Sequence, residues 1–333
     1  MKTILYDFQK KSWGFSEVQK PSPNTGEALV KVTHAGLCGS DMHRIDAPSH
    51  LQEKYALGHE ITGIVTDALS NPSLNNKIVV VNPIVNCGAC APCVDLKTQF
   101  CKNAIGIGKT ANGGFSEYIT VPTTHLYPIP SGMNPKLGVL TDGVAVIIHA
   151  LSKLNSHSPE TALIIGDGTV AALTAAALKI KHPDCKVSVS GRNQKNLALL
   201  ATKYGVYPYN KGDSFDISLE TVGRSQSETL NFAIQKANIG GQILVLGVYP
   251  ESFPLNVDAR TAFYKELSID GINSFVSSTE RNDFREALDL IAQNQDVFDG
   301  LITHELPLGS FLEGVELMKR KAESGAIKVL FQP

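Results

Sequence analysis

The chain has 333 residues, of which 43% are hydrophobic and 19% charged, and a formal net charge of -2. That length fits two domains, each able to bury its own core, and the near-neutral charge offers no basic tail or stripe for nucleic acid, so no nucleic-acid partner is expected. No run of about 18 apolar residues is present to span a bilayer, and the opening "MKTILYDFQKKSWGFSE" lacks the apolar run of a signal peptide; a soluble, cytoplasmic chain with no membrane partner is expected.

The first 130 residues read as short β-type runs, "EALVKVTHA", "ITGIVTDA", "KIVVVNP" and "SEYITVP", broken by Gly, Pro and Asn. They predict a mainly β domain over 1–143. Within it, "GLCGSDMHRIDAPSHLQEKYALGHEITG", Gly36 to Gly63, gathers one cysteine, three histidines and several carboxylates, a candidate metal site. Further on, "NCGACAPCVDLKTQFC" places Cys87, Cys90, Cys93 and Cys101 too close for ordinary disulfide pairing. Four thiolates suit a tetrahedral Zn2+, and a closed four-cysteine site has no open position, so this lobe of about 87–101 is read as structural. Its spacing differs from the ferredoxin patterns.

From about Val144 strand and helix candidates alternate, from "TALIIGDG" and "TVAALTAAALKI" through "KVSVSG" to "GQILVLG" and "LSIDGI". Such alternation predicts βαβ units and a doubly wound parallel sheet over 144–278. Inside it, Gly166-Asp-Gly168-Thr169-Val170-Ala171 matches G-x-G-x-x-G/A with a strand before and a helix after. Gly166 permits the tight turn, Gly168 lets a pyrophosphate approach the backbone, and Ala171 allows close packing of helix on sheet. About 20 residues on, where an acid would bind an unphosphorylated ribose, stand Gly191 and Arg192, with Lys195 following. Loss of the carboxylate and gain of guanidinium and ammonium favour NADP(H) over NAD(H). The last part, 279–333, holds an amphipathic helix "NDFREALDLIAQ", an extended "LITHELPL", the helix "FLEGVELMKRKAESG" and a strand "IKVLF".

With these motifs in order, joined by "GGFSEYITVP" and "GAIKVLF", the chain resembles the zinc-dependent medium-chain dehydrogenase/reductase family, the alcohol, polyol and threonine dehydrogenases, over nearly its whole length. The resemblance implies a GroES-like catalytic domain, a Rossmann domain, a C-terminal segment that returns to the first, and a homodimer or homotetramer. It implies that Cys38 and His59 bind a catalytic zinc, with Glu60 as a direct or outer-shell carboxylate and Asp142 of "LTDGVAVIIHA" as the third ligand. Gly143 stands where the family has Pro. Ser40 matches the hydroxyl that handles the substrate proton, His43 the relay toward solvent, and Asp41 the carboxylate that orients His59. Lys328 matches a position that often carries a base near the cofactor pyrophosphate. His50, His125, His149, His157, His182 and His304 read as surface or core residues, and Cys185 as a free thiol.

The resulting expectation is an enzyme with two Zn2+ per chain that interconverts a secondary hydroxyl of a polyol, sugar or related small molecule and a ketone, by hydride transfer from a zinc-bound alkoxide to NADP. The alternatives are a threonine or amino-alcohol dehydrogenase and a catalytically silent NADPH-binding relative.

Overall fold

A computed structural model describes residues 1–7, 9–46, 54–155, 158–250 and 252–333, the side chains of 43–46 excepted. The chain divides into two compact units, one of residues 1–142, 276–320 and 328–333, the other of 143–275 and 321–327. Residues 321–327 depart from the expected assignment of all of 279–333 to the first unit. The reason is local: Asn193 Nδ2 donates to Lys321 O (2.7 Å), Lys195 Nζ donates to Glu323 O (2.7 Å), and the Thr169 hydroxyl donates to Ile327 O. Among the described residues no helix is long and apolar enough to cross a membrane.

The first unit is built on Glu27–Leu37, an eleven-residue strand in which Val30 and Val32 are buried while Lys31 between them faces solvent. It lies inside a seven-stranded sheet, antiparallel to Glu60–Asp67 on one side and to Lys328–Gln332 on the other. Register matters here, because Gly36 stands opposite both Glu60 and Leu330. A side chain at Gly36 would start 2.1 Å from Glu60 Oε2, so glycine leaves the space in which Lys328 and Glu60 meet across the strand.

The turn that presents His59 is equally constrained. Gly58 has φ +89°, a region that disfavours any side chain, and a Cβ there would stand 2.7 Å from the Phe115 ring. Its carbonyl accepts from Gly114 N at 2.8 Å. Behind the turn, Phe115, Phe311 and Phe331 pack with centroids 4.9–5.7 Å apart, an aromatic core that fixes the backbone carrying the site.

The second unit holds a six-stranded sheet, every neighbouring pair parallel, in the order Tyr207–Pro208, Lys186–Ser190, Thr161–Ile165, Phe215–Glu220, Ala237–Val245, Ser268–Gly271. Numbered along the chain this is 3-2-1-4-5-6, the doubly wound order, with its switch point between Thr161–Ile165 and Phe215–Glu220. The expected α/β fold class is therefore observed, with one mainly β unit and one unit built on a parallel sheet. Helix Thr169–Lys181 buries Ala171 through Leu178 and carries Lys179 and Lys181 in its last turn, where they complement the helix dipole. Helix Gln194–Tyr204 is capped by Asn193, whose side chain accepts from Lys195 N and Asn196 N, and ends at Gly205 in the left-handed region.

Gly58→Ala should cost about 2–4 kcal/mol, from a strained backbone and a clash with Phe115. A urea denaturation midpoint equal to wild type would show that the turn tolerates a side chain.

Candidate metal centre and cofactor site

Cys38 follows the strand Glu27–Leu37, and His59 immediately precedes the strand Glu60–Asp67. The antiparallel register of those strands closes a 21-residue sequence gap. Helix Gly39–Asp46 begins at once after Cys38, with Asp41 in its first turn accepting from Cys38 N at 3.0 Å. Asp142 arrives separately, from the first turn of helix Thr141–Leu151.

Around His59 the groups converge. Nε2 stands 3.4 Å from Ser40 Oγ and 3.7 Å from Asp142 Oδ2, and Ser40 Oγ lies 3.3 Å from Cys38 Sγ. On the opposite edge of the ring, Nδ1 stands 3.4 Å from Asp41 Oδ1. One ring nitrogen thus faces the donor cluster and the other a carboxylate, the arrangement that orients a metal-binding histidine. Burial pulls the imidazole pKa down, as does Lys109, but the charges of Asp41 and Cys38 prevail and raise it to about 10. The pocket holds positive charge tightly. Asp142 Oδ1 is buried without a hydrogen-bond partner among the described residues, an arrangement costly for a carboxylate that lacks a cation.

Glu60 is differently placed. Its ligand atom falls within 4.8 Å of those of Cys38 and His59, but both carboxylate oxygens accept from Lys328 Nζ at 2.6 Å, and both residues are buried. The Lys328 pKa is drawn down by burial and raised overall by Glu60, so the ammonium stays charged. This corrects the expectation for Lys328: its charge is committed to Glu60, not to a cofactor phosphate. The His43 side chain lies outside the described residues, as do His50 and His157.

Cys87, Cys90, Cys93 and Cys101 form a second cluster, all with free thiols and with ligand atoms within 4.8 Å of one another. Sulfur separations of 3.5 Å (Cys90–Cys93), 3.8 Å (Cys90–Cys101) and 3.5 Å (Cys87–Cys101) are far too long for disulfides. They approach the roughly 3.8 Å edge of a tetrahedron with zinc–sulfur bonds of about 2.3 Å. The backbone N–H groups of Ala89 and Cys90 lower the Cys87 pKa to about 6, while burial pushes Cys93 up to about 12. Cys185 stands apart, its thiol raised to about 11 by burial.

In the second unit Gly166 has φ +125°, and a Cβ there would lie 2.2 Å from Thr221 Oγ1. Gly168 caps helix Thr169–Lys181, with Val170 in the first turn and Ala171 buried against the sheet. One feature escaped the sequence reading. The Asp167 carboxylate crosses to the next loop, accepting from Arg192 N (2.5 Å) and Asn193 N (2.9 Å), and it fills the space beside Gly191, where a Cβ would stand 2.7 Å from Asp167 Oδ2. An acid inside the Gly-x-Gly turn, paired with a strand end that lacks one, was the available signal. The Arg192 side chain remains exposed, whereas Lys195 Nζ is engaged by Glu323 O.

Residues 24–131 match the alcohol dehydrogenase GroES-like domain. The chain is 28% identical over 329 residues to L-threonine 3-dehydrogenase of Bacillus subtilis (strain 168), covering 91% of each. An Escherichia coli CFT073 short chain alcohol dehydrogenase complexed with NADH superposes with a TM-score of 0.89 at 24% identity, over 100% of this chain and 99% of the other. Galactitol-1-phosphate dehydrogenase from Escherichia coli gives a TM-score of 0.87 at 25% identity, over 100% of both chains. Taken with the two donor clusters and the doubly wound sheet, these likenesses support the resemblance to the zinc-dependent medium-chain dehydrogenase/reductase family.

Proposed function

We propose that the protein is a zinc-dependent alcohol dehydrogenase that interconverts a secondary hydroxyl of a polyol, sugar or related small metabolite and a ketone, with NADP(H) preferred over NAD(H). The observation that carries this reading is the buried cluster at His59, where Cys38 and Glu60 offer ligand atoms within 4.8 Å of His59 and of each other, and Asp142 Oδ2 stands 3.7 Å from His59 Nε2 with its Oδ1 buried and unpartnered among the described residues. One sulfur, one imidazole and one carboxylate suit zinc, and three protein ligands leave a fourth position for substrate. Zinc held by these residues supplies the Lewis acidity that lowers the pKa of a substrate hydroxyl. Glu60, held at both oxygens by Lys328, stays a neighbour of the donor set.

The remaining chemistry belongs to the chain's own groups. Ser40 Oγ lies beside both Cys38 Sγ and His59 Nε2, and a hydroxyl both accepts and donates. It takes the proton from the substrate oxygen and passes it on, with His43 as the next carrier. A bound nicotinamide would supply the acceptor for the hydride, the carbinol hydrogen with its electron pair. Asp41 fixes the His59 ring from behind. Cys87, Cys90, Cys93 and Cys101, four thiols that leave no open position, would hold a second zinc in a structural role.

Gly191 and Arg192 support the cofactor preference. Asp167 spends its charge on two backbone N–H groups, and the exposed Arg192 guanidinium is left to a 2'-phosphate. A threonine or amino-alcohol substrate is the second reading, supported by the identity to the Bacillus subtilis enzyme, and it requires a site for the substrate ammonium. A polyol rests on the acidic third ligand and on the likeness to galactitol-1-phosphate dehydrogenase. A silent NADPH-binding relative would have no use for an open donor set.

A dehydrogenase screen over secondary alcohols, polyols, amino alcohols and sugars separates these substrates. Ser40→Ala should lower kcat about 100-fold to 10,000-fold while zinc content stays at the wild-type value. Cys38→Ser should abolish turnover, and activity that survives it would contradict the metal-dependent reading. Arg192→Ala should weaken NADPH binding about 10-fold to 100-fold, as loss of a charged hydrogen bond does, and leave NADH binding unchanged. Fluorescence titration reads both, and tighter NADH than NADPH binding by wild type would remove the NADP assignment.

A further inference from the structure

Seven residues, 321–327, belong to the nucleotide unit although the chain on either side of them belongs to the other. Their anchors are specific. The Lys321 carbonyl accepts from Asn193 Nδ2 at 2.7 Å, the Glu323 carbonyl from Lys195 Nζ at 2.7 Å, and the Ile327 carbonyl from the Thr169 hydroxyl. Thr169 opens the helix after the glycine-rich turn, and Asn193 caps the helix after the second strand. These are the two loops that grip a dinucleotide in a doubly wound sheet.

Pinned by its own carbonyl, Lys321 turns its side chain onto the phosphate turn. Its Nζ lies 3.7 Å from the point where a Cβ on Gly168 would stand, the side on which absence of a side chain lets a pyrophosphate approach. The helix N-terminus supplies only partial positive charge, and a dinegative pyrophosphate calls for more. Lys328 Nζ is held by Glu60 and Lys195 Nζ by Glu323 O. Arg192 is assigned to the ribose.

We infer that Lys321 binds the cofactor pyrophosphate, and that the 321–327 excursion exists to deliver its ammonium to the Gly166–Gly168 turn. This rests on the dinucleotide-binding reading above. A lysine serving only to close the segment would leave phosphate affinity untouched, and a phosphate ligand would not.

The test uses the purified full chain, titrated with whichever of NADPH and NADH binds more tightly, with ADP-ribose, and with adenosine as the ligand lacking phosphate. Lys321→Met keeps the stem and removes the charge. It should weaken the dinucleotide and ADP-ribose at least about 10-fold, flatten their salt dependence, and leave adenosine unchanged. Lys321→Arg should recover most of the loss. ADP-ribose binding within twofold of wild type in Lys321→Met would overturn the inference, as would an equal loss for adenosine, which would mark a structural role. If thermal melting shows Lys321→Met to be poorly folded, Lys321→Gln is judged by the same criteria. Wild-type protein that binds none of these ligands would instead remove the dinucleotide reading itself.

Discussion

Buried negative charge is the constraint on which the first unit turns. Asp41, Glu60 and Asp142 are all buried around His59, and carboxylates removed from water must be answered by hydrogen bonds or cations. Glu60 is answered by Lys328 and Asp41 in part by the Cys38 amide. Asp142 Oδ1 is left without a partner, next to a histidine whose pKa its anionic surroundings have raised. That imbalance leaves the carboxylate on the Nε2 side of His59 in need of a cation, with the Cys38 sulfur and the His59 imidazole nearby.

The sheet is arranged to permit this. Gly36 gives up its side chain so that an ion pair can form across the central strand, and Gly58 takes a left-handed turn so that His59 can point at Cys38. The phenylalanine cluster behind the turn supplies the apolar burial that offsets these local costs. In the second unit glycines play the reverse part. There Gly166 gives way to the Thr221 hydroxyl, Gly168 leaves the start of helix Thr169–Lys181 uncovered but for Lys321 Nζ, and Asp167 and the 321–327 segment brace the neighbouring loops.

Much of this was legible in the residues. The doubly wound order follows from strands alternating with helices, the four-cysteine lobe from its spacing, and the pairing of Cys38 with His59 from motifs at the ends of two strands. Cys38, Ser40, Asp41, His59 and Asp142 are indeed brought together. What could not be read was anything set by long-range register. Lys328 lies 268 positions from Glu60, and only the pairing of three strands at Gly36 shows that they meet. Lys321 gave no local signal either, because its place depends on a seven-residue excursion fixed by hydrogen bonds to side chains more than 120 positions away. Asp167 is the intermediate case, visible as an odd residue in the turn but interpretable only once its carboxylate is seen on the following loop.

In the proposed reading Cys38, His59 and Asp142 hold a metal while Lys328 keeps Glu60 out of the coordination. Anomalous diffraction at the zinc absorption edge from crystals of the purified chain tests it most directly. Two zinc peaks are expected, one in the four-cysteine lobe and one about 2.0–2.3 Å from Cys38 Sγ, His59 Nε2 and an Asp142 oxygen. A single peak confined to the lobe would contradict the claim, as would a zinc bound by Glu60 with Asp142 turned away.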